Sequence, residues 1–153
     1  MALPTAVGAQ EDRPVLDFQH QGPIKVVYQV TADEELDGVS KGLSYLKRLR
    51  QQLIDQGIDA DRIDIRAVFH GQASFQLLTD ETHDRLRKRS GGNPNSALIA
   101  ELNEAGIRIE FCDFRRQELG WEKSDVHPDV TLVRGAFARL VDLQLQGYAY
   151  IRF

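Results

Sequence analysis

Five short runs rich in β-branched and aromatic residues recur along this chain, with patterns of helical period between them. This alternation constrains the fold more than any other feature. Ile24-Lys-Val-Val-Tyr-Gln-Val30 is the first run and Ile63-Asp-Ile-Arg-Ala-Val-Phe69 the second; residues 107–111, 130–133 and 148–153 are the others. Between the first two, Leu36, Val39, Leu43, Leu46, Leu49 and Leu53 recur at three- and four-residue intervals. That spacing predicts one long amphipathic helix, stopped at Gly57. Residues 73–78 predict a short helix, followed by a polar segment over residues 79–90. Asn93-Pro94 predicts a helix start, with Leu98, Ile99 and Leu102 buried and Gly106 closing it. Residues 114–119 predict a short helical turn. Residues 135–146 predict a last helix, with Phe137, Leu140, Val141 and Leu145 facing inward and Gly147 ending it.

Strands alternating with helices imply an α/β fold. The expectation is a flavodoxin-like, three-layer domain around a mainly parallel five-stranded sheet. Right-handed crossovers leave few topologies, and the flavodoxin strand order is the first choice among them. With 153 residues and no dividing linker, residues 23–153 are expected to form a single domain. Residues 1–22 carry Pro4 and Pro14 and lead into Pro23, and are expected to form a tail outside the core. Val7-Gly-Ala9 resembles a signal-cleavage site, but the basic region and long apolar core of a secretory signal are missing. A cytoplasmic location is therefore expected; a trimmed signal would make it periplasmic.

The net charge of −4 supplies no basic field, so neither nucleic acid nor an anionic membrane is an expected partner. No apolar run reaches the roughly 18–20 residues of a membrane span. The four histidines, His20, His70, His83 and His127, have no metal-ligand spacing, and no metal or cofactor is implied. Arg85-Leu-Arg-Lys-Arg89 reads as the solvated end of a helix, where positive charge suits the dipole. Ser90-Gly-Gly-Asn-Pro-Asn95 resembles a turn before a helix N-terminus, a place that can hold an anion, but lacks the full phosphate-loop pattern.

Two central strands depart from the unbroken apolar runs of a buried parallel sheet. Ile63, Ile65, Ala67 and Phe69 share one face, while Asp64, Arg66, Val68 and His70 share the other. In the third strand, Ile107, Ile109 and Phe111 oppose Arg108, Glu110 and Cys112. A face carrying such charges is expected to be thinly covered or completed by another subunit.

Sites in open α/β sheets form beyond the carboxyl ends of the strands. His70-Gly71 and Cys112-Asp113 end the second and third strands there, and the two-residue period puts His70 and Cys112 on the same face. One cysteine cannot form an intramolecular disulfide, so Cys112 is either a small packing residue or a reactive thiol. A following helical turn, Arg115 and Arg116 would favour a thiolate, and Asp113 would oppose it. His70 or His127 would orient or protonate the thiol if the fold brought one near.

The order of motifs then adds to the residues themselves. Val68-Phe-His-Gly71, Asn95 opening a helix, Ala105-Gly-Ile-Arg-Ile-Glu-Phe-Cys112, His127-Pro-Asp-Val130 and Gly147-Tyr-Ala-Tyr-Ile151 follow one another. The series resembles the DsrE/DsrF-like family, including its YchN-type members, from residue 24 to residue 153. The resemblance implies a flavodoxin-like domain assembled as a homotrimer or hexamer, and a link to sulfur oxidation or sulfur relay. It implies that Cys112 holds sulfane sulfur as a persulfide, exchanged with thiol-bearing donor and acceptor proteins. His70 and Gly71 match the family segment after strand two; Asn95 and Arg115 are the supporting or substrate-side candidates. Asp113-Phe114 follows Cys112 where similar sequences carry a small residue. The alternative is a non-enzymatic oligomeric binding or assembly module with a structural cysteine. A thiol hydrolase would need an oxyanion site in addition to Cys112 and His70.

Overall fold

The computed structural model describes residues 13–152. The signal-like Val7-Gly-Ala9 lies outside the described residues. The elements are β1 (Ile24–Val30), β2 (Glu35–Leu36), β3 (Val39–Ser40), α1 (Lys41–Asp55), β4 (Ile63–Phe69), α2 (Asp80–Arg87), α3 (Ser96–Glu104), β5 (Arg108–Cys112), α4 (Asp113–Glu118), β6 (Thr131–Val133), α5 (Ala136–Leu145) and β7 (Ala149–Arg152). Before β1 the chain runs along the surface, with Val15 and Leu16 exposed. It is tied down where Arg62 donates to the carbonyls of His20 and Gly22.

Five parallel strands form the main sheet in the order β6-β5-β4-β1-β7. The α/β class and the three layers are as the alternation predicts. The strand order differs from that of flavodoxin, where the second strand of the chain lies outside the first. Here the steps β1→β4→β5→β6 all move one way, and the last strand takes the free edge of β1 instead.

This order decides how the faces are covered. Right-handed crossovers moving in one direction put α1 to α4 on one face, and the single reversal puts α5 on the other. Contacts agree. Tyr28 lines a surface hollow with Tyr45 and Leu49 of α1. Phe111 meets Trp121, which packs edge-on against Phe75, with 5.1 Å between centroids. The opposite face holds Asp64, Arg66, Glu110, His70 and Cys112, and among the described residues α5 is the one helix over it. The charged face is thus thinly covered.

Three local expectations change. Leu36 and Val39 do not begin α1; they pair across a two-stranded hairpin. Asp37 and Gly38 at its tip both have positive φ, 54° and 82°, the mirror-image turn that Asp-Gly favours. The polar segment after residue 79 forms α2. Thr79 caps it by accepting from the Thr82 N–H, Asp80 and Glu81 lie in its first turn, and Arg85 and Arg87 in its last. Finally, α5 presents Leu140 and Leu143 to the sheet, but Phe137 (73 % exposed), Val141 (55 %) and Leu145 (84 %) to solvent. The helix is apolar on two sides, so periodicity alone did not separate its faces.

Candidate functional site

The site lies at the carboxyl ends of β4 and β5, under the start of α5. The β4–β5 register pairs Phe69 with Phe111, and continuing it one step sets His70 beside Cys112 on the thinly covered face. Neighbouring strands lie about 4.8 Å apart. The two side chains line one pocket of about 540 Å³ together with Gly71, Phe114, Arg115, Glu118 and residues 135–138. The walls are mostly apolar, with Phe114 and Phe137 exposed on the rim.

Cys112 is 6 % exposed and ends β5 as the N-cap of α4. Its Sγ accepts the backbone N–H of Arg115 at 3.4 Å. The sulfur thus takes the place that a Ser or Asp oxygen fills in an ordinary cap. Asp113, which would oppose a thiolate, turns to the rest of α4. Its carboxylate accepts from Arg116 Nε at 2.6 Å and from Gln117 Nε2 at 2.7 Å. The Arg116 bond is the main reason its pKa is held below the usual carboxylate value. Phe114 is 63 % exposed and lines the same pocket as the thiol.

His70 is half-buried. Its Nε2 lies 2.8 Å from Gln29 Nε2 of β1, and the Oε1 of the same amide accepts from the Tyr150 hydroxyl of β7. The ring meets Phe137 of α5 edge-on at 5.4 Å. Burial, then the nearby charges of Arg152 and Arg115, push its pKa down and favour the neutral imidazole. Gly71 has φ +62°, and a Cβ there would come within 3.1 Å of the Thr31 carbonyl oxygen, so a side chain at this turn would meet both strain and backbone. Arg115 reaches Glu118 through Nη1 at 3.4 Å, while its buried Nε has no hydrogen-bond partner.

The roof is pinned by charge. Glu110, two residues before Cys112 and 2 % exposed, receives Arg139 of α5 in two 2.7 Å bonds. Arg66 approaches Glu110 at 3.6 Å and also pairs with Asp64, whose second oxygen accepts from the Tyr148 hydroxyl. The opposite charges seen along β4 and β5 therefore neutralise one another under α5.

The other sequence candidates lie elsewhere. Asn95 does not line the pocket. It is buried, accepts the Ser40 N–H at 2.6 Å, and donates to Asn93, whose amide in turn donates to the carbonyls of Gln76 and Leu78. That network fastens the β2–β3 hairpin to the start of α3. The anion-holding turn already has its anions. Asp84 accepts the Gly92 N–H, and Asp80 accepts the Asn93 N–H at 3.0 Å. His127 also stands outside the pocket, its Nδ1 accepting from the Asp129 N–H. Gln29, Tyr150, Glu118 and the first turn of α5 belong to the site and were missed. The period-two rule does put Gln29 on the His70 face, but a single uncharged amide gives no chemical signal.

Among the described residues, no group of three or more His, Cys, Asp or Glu side chains is gathered as for a metal ion. No described helix is long and apolar enough to cross a membrane.

The chain is similar in structure to a protein of unknown function, MTH1491, from Methanobacterium thermoautotrophicum. The TM-score is 0.65 at 22 % identity, covering 85 % of this chain and 99 % of that one. It is also similar to the YchN protein of E. coli, with a TM-score of 0.57 at 14 % identity, covering 85 % and 100 %. At these identities the likeness speaks for the fold. No curated protein matches the sequence. The DsrE/DsrF-like family matches residues 32–153, a span that holds both strand ends, Cys112 and the α5 roof, and the chain belongs to that family.

Proposed function

We propose that the protein is a sulfur carrier of sulfur oxidation or relay, holding sulfane sulfur transiently on Cys112. The observation that carries this reading is the setting of the thiol. Its sulfur accepts a backbone N–H, has a neutral imidazole as neighbour and faces a mostly apolar pocket open at the strand ends. Loading is an exchange without net oxidation. The Cys112 thiolate attacks the outer sulfur of a donor persulfide, a new S–S bond forms, and the donor's S–S bond breaks. The donor leaves as a thiolate with the electron pair. Unloading is the same step run onto an acceptor thiol. Thiol-bearing donor and acceptor proteins are therefore the proposed partners. A reducing compartment such as the cytoplasm suits a single thiol kept free for exchange.

Self-association as a homotrimer or hexamer is part of the proposal. It is supported by the outward row of Phe137, Val141 and Leu145, with Tyr150 and Ile151 also exposed. The same row is what favours the plainer alternative, an assembly module with a packing cysteine.

Intact-mass measurement after treatment with glutathione persulfide separates the two. A carrier gains about 32 Da per sulfur atom, loses it to dithiothreitol, and gains nothing as Cys112→Ser. A folded wild-type chain that takes up no sulfur, or a Cys112→Ser chain that takes up as much, overturns the carrier reading.

A further inference from the structure

Gln29 has no part in the function proposed above, yet it is hydrogen-bonded on both sides. Its carbonyl oxygen faces the Tyr150 hydroxyl, which donates. Its amide nitrogen, 2.8 Å from His70 Nε2, can only donate. The acceptor in that pair is then a ring nitrogen without a proton, and in a neutral imidazole the proton sits on the other nitrogen.

We infer that Gln29, itself held by Tyr150, is a positioning residue that fixes His70 with its proton on Nδ1. The imidazole then meets the Cys112 pocket as a neutral hydrogen-bond donor, and is not a base that takes the thiol proton. The geometry stands by itself; its meaning for sulfur transfer rests on the carrier reading.

The surroundings fit a neutral ring. Arg115 from α4 and Arg152 from β7 bring positive charge towards His70, and α5 turns Phe137 onto it. Among the described residues Glu118 is the one carboxylate lining the pocket, and it pairs with Arg115. A neutral donor suits a persulfide. It stabilises a terminal sulfur anion without handing over the proton that would make that sulfur a poorer nucleophile.

The test is ¹⁵N–¹H correlation of the imidazole rings in the full chain at neutral pH, with His70 assigned by loss of its signals in His70→Gln. The expected result is a protonated Nδ1 and an unprotonated Nε2. In Gln29→Glu, a carboxylate replaces the donor with an acceptor. The proton should move to Nε2 and the His70 titration should shift upwards. Tyr150→Phe frees the amide to turn over, and both tautomers should appear. An Nε2–H signal in the wild type overturns the inference, as does a tautomer unchanged in a folded Gln29→Glu. The readout needs no sulfur donor. A wild type that keeps Nδ1–H but never takes up sulfur supports the positioning and sinks the carrier reading alone.

Discussion

His70 is half-buried and feels the charges of Arg152 and Arg115, and that placement gives the protein a pH signature. Its pKa in the fold lies below the ordinary imidazole value of about 6.5. As pH falls below that value the unfolded chain takes up a proton that the folded one resists, so unfolding gains. The contribution is complete above about pH 6.5 and declines as pH falls towards the folded pKa. Urea unfolding at pH 7.5 and 5.5 should show a larger loss of stability in the wild type than in His70→Asn. Equal losses would contradict the burial and charge described here. At this scale the shared location of Cys112 and His70 was legible through nothing more than the two-residue period and the ends of two strands. Asp113 read as a hindrance to the thiol because sequence adjacency says nothing of direction. The carboxylate points along α4 to Arg116 and Gln117. Asn95 read as a site residue because a helix start looks alike whether it meets a ligand or the Ser40 backbone.

Among the elements, α5 has the most consequence, since it covers the charged face and supplies a wall of the pocket. Its hold on the sheet is directional, through the Arg139–Glu110 pair. Removing Arg139 takes both 2.7 Å bonds from the buried Glu110 carboxylate and leaves it the longer 3.6 Å approach of Arg66. Arg139→Met should destabilise the fold by about 3 kcal/mol in denaturant unfolding. Replacing both partners, Glu110→Met with Arg139→Met, should recover most of the loss; no recovery would mean that the arginine acts through packing alone. The β2–β3 hairpin was legible in Asp37-Gly38 but was hidden by Leu36 and Val39, which extend the α1 spacing by chance. The faces of α5 were not legible, because apolar residues occur on both. The inward turn of Leu140 and Leu143 goes with the Arg139–Glu110 pair, whose partner lies on a strand distant in sequence.

For the molecule as a whole, the outward row on α5 raises the question of what it meets. If copies of the chain associate through it, Leu145→Glu should shift light-scattering mass to the monomer. The folded monomer should lose less than about 0.5 kcal/mol, because the residue is 84 % exposed. A wild type that is already monomeric at micromolar concentration would remove the self-association proposal. The α/β class and the three layers followed from alternation alone. The strand order did not, because local pattern carries no information on which edge of β1 the last strand will take.

That last strand has a consequence for how the protein is made. β7 pairs with β1, joining Val26 to Ala149 across nearly the whole chain, and α5 lies on the connection leading to it. On the ribosome, the helices of the opposite face emerge before α5. The Cys112 thiol and the charges beside it must therefore wait, unroofed, until α5 has emerged. The cysteine stands first on an open sheet, and acquires its pocket only at the crossover from β6 to β7.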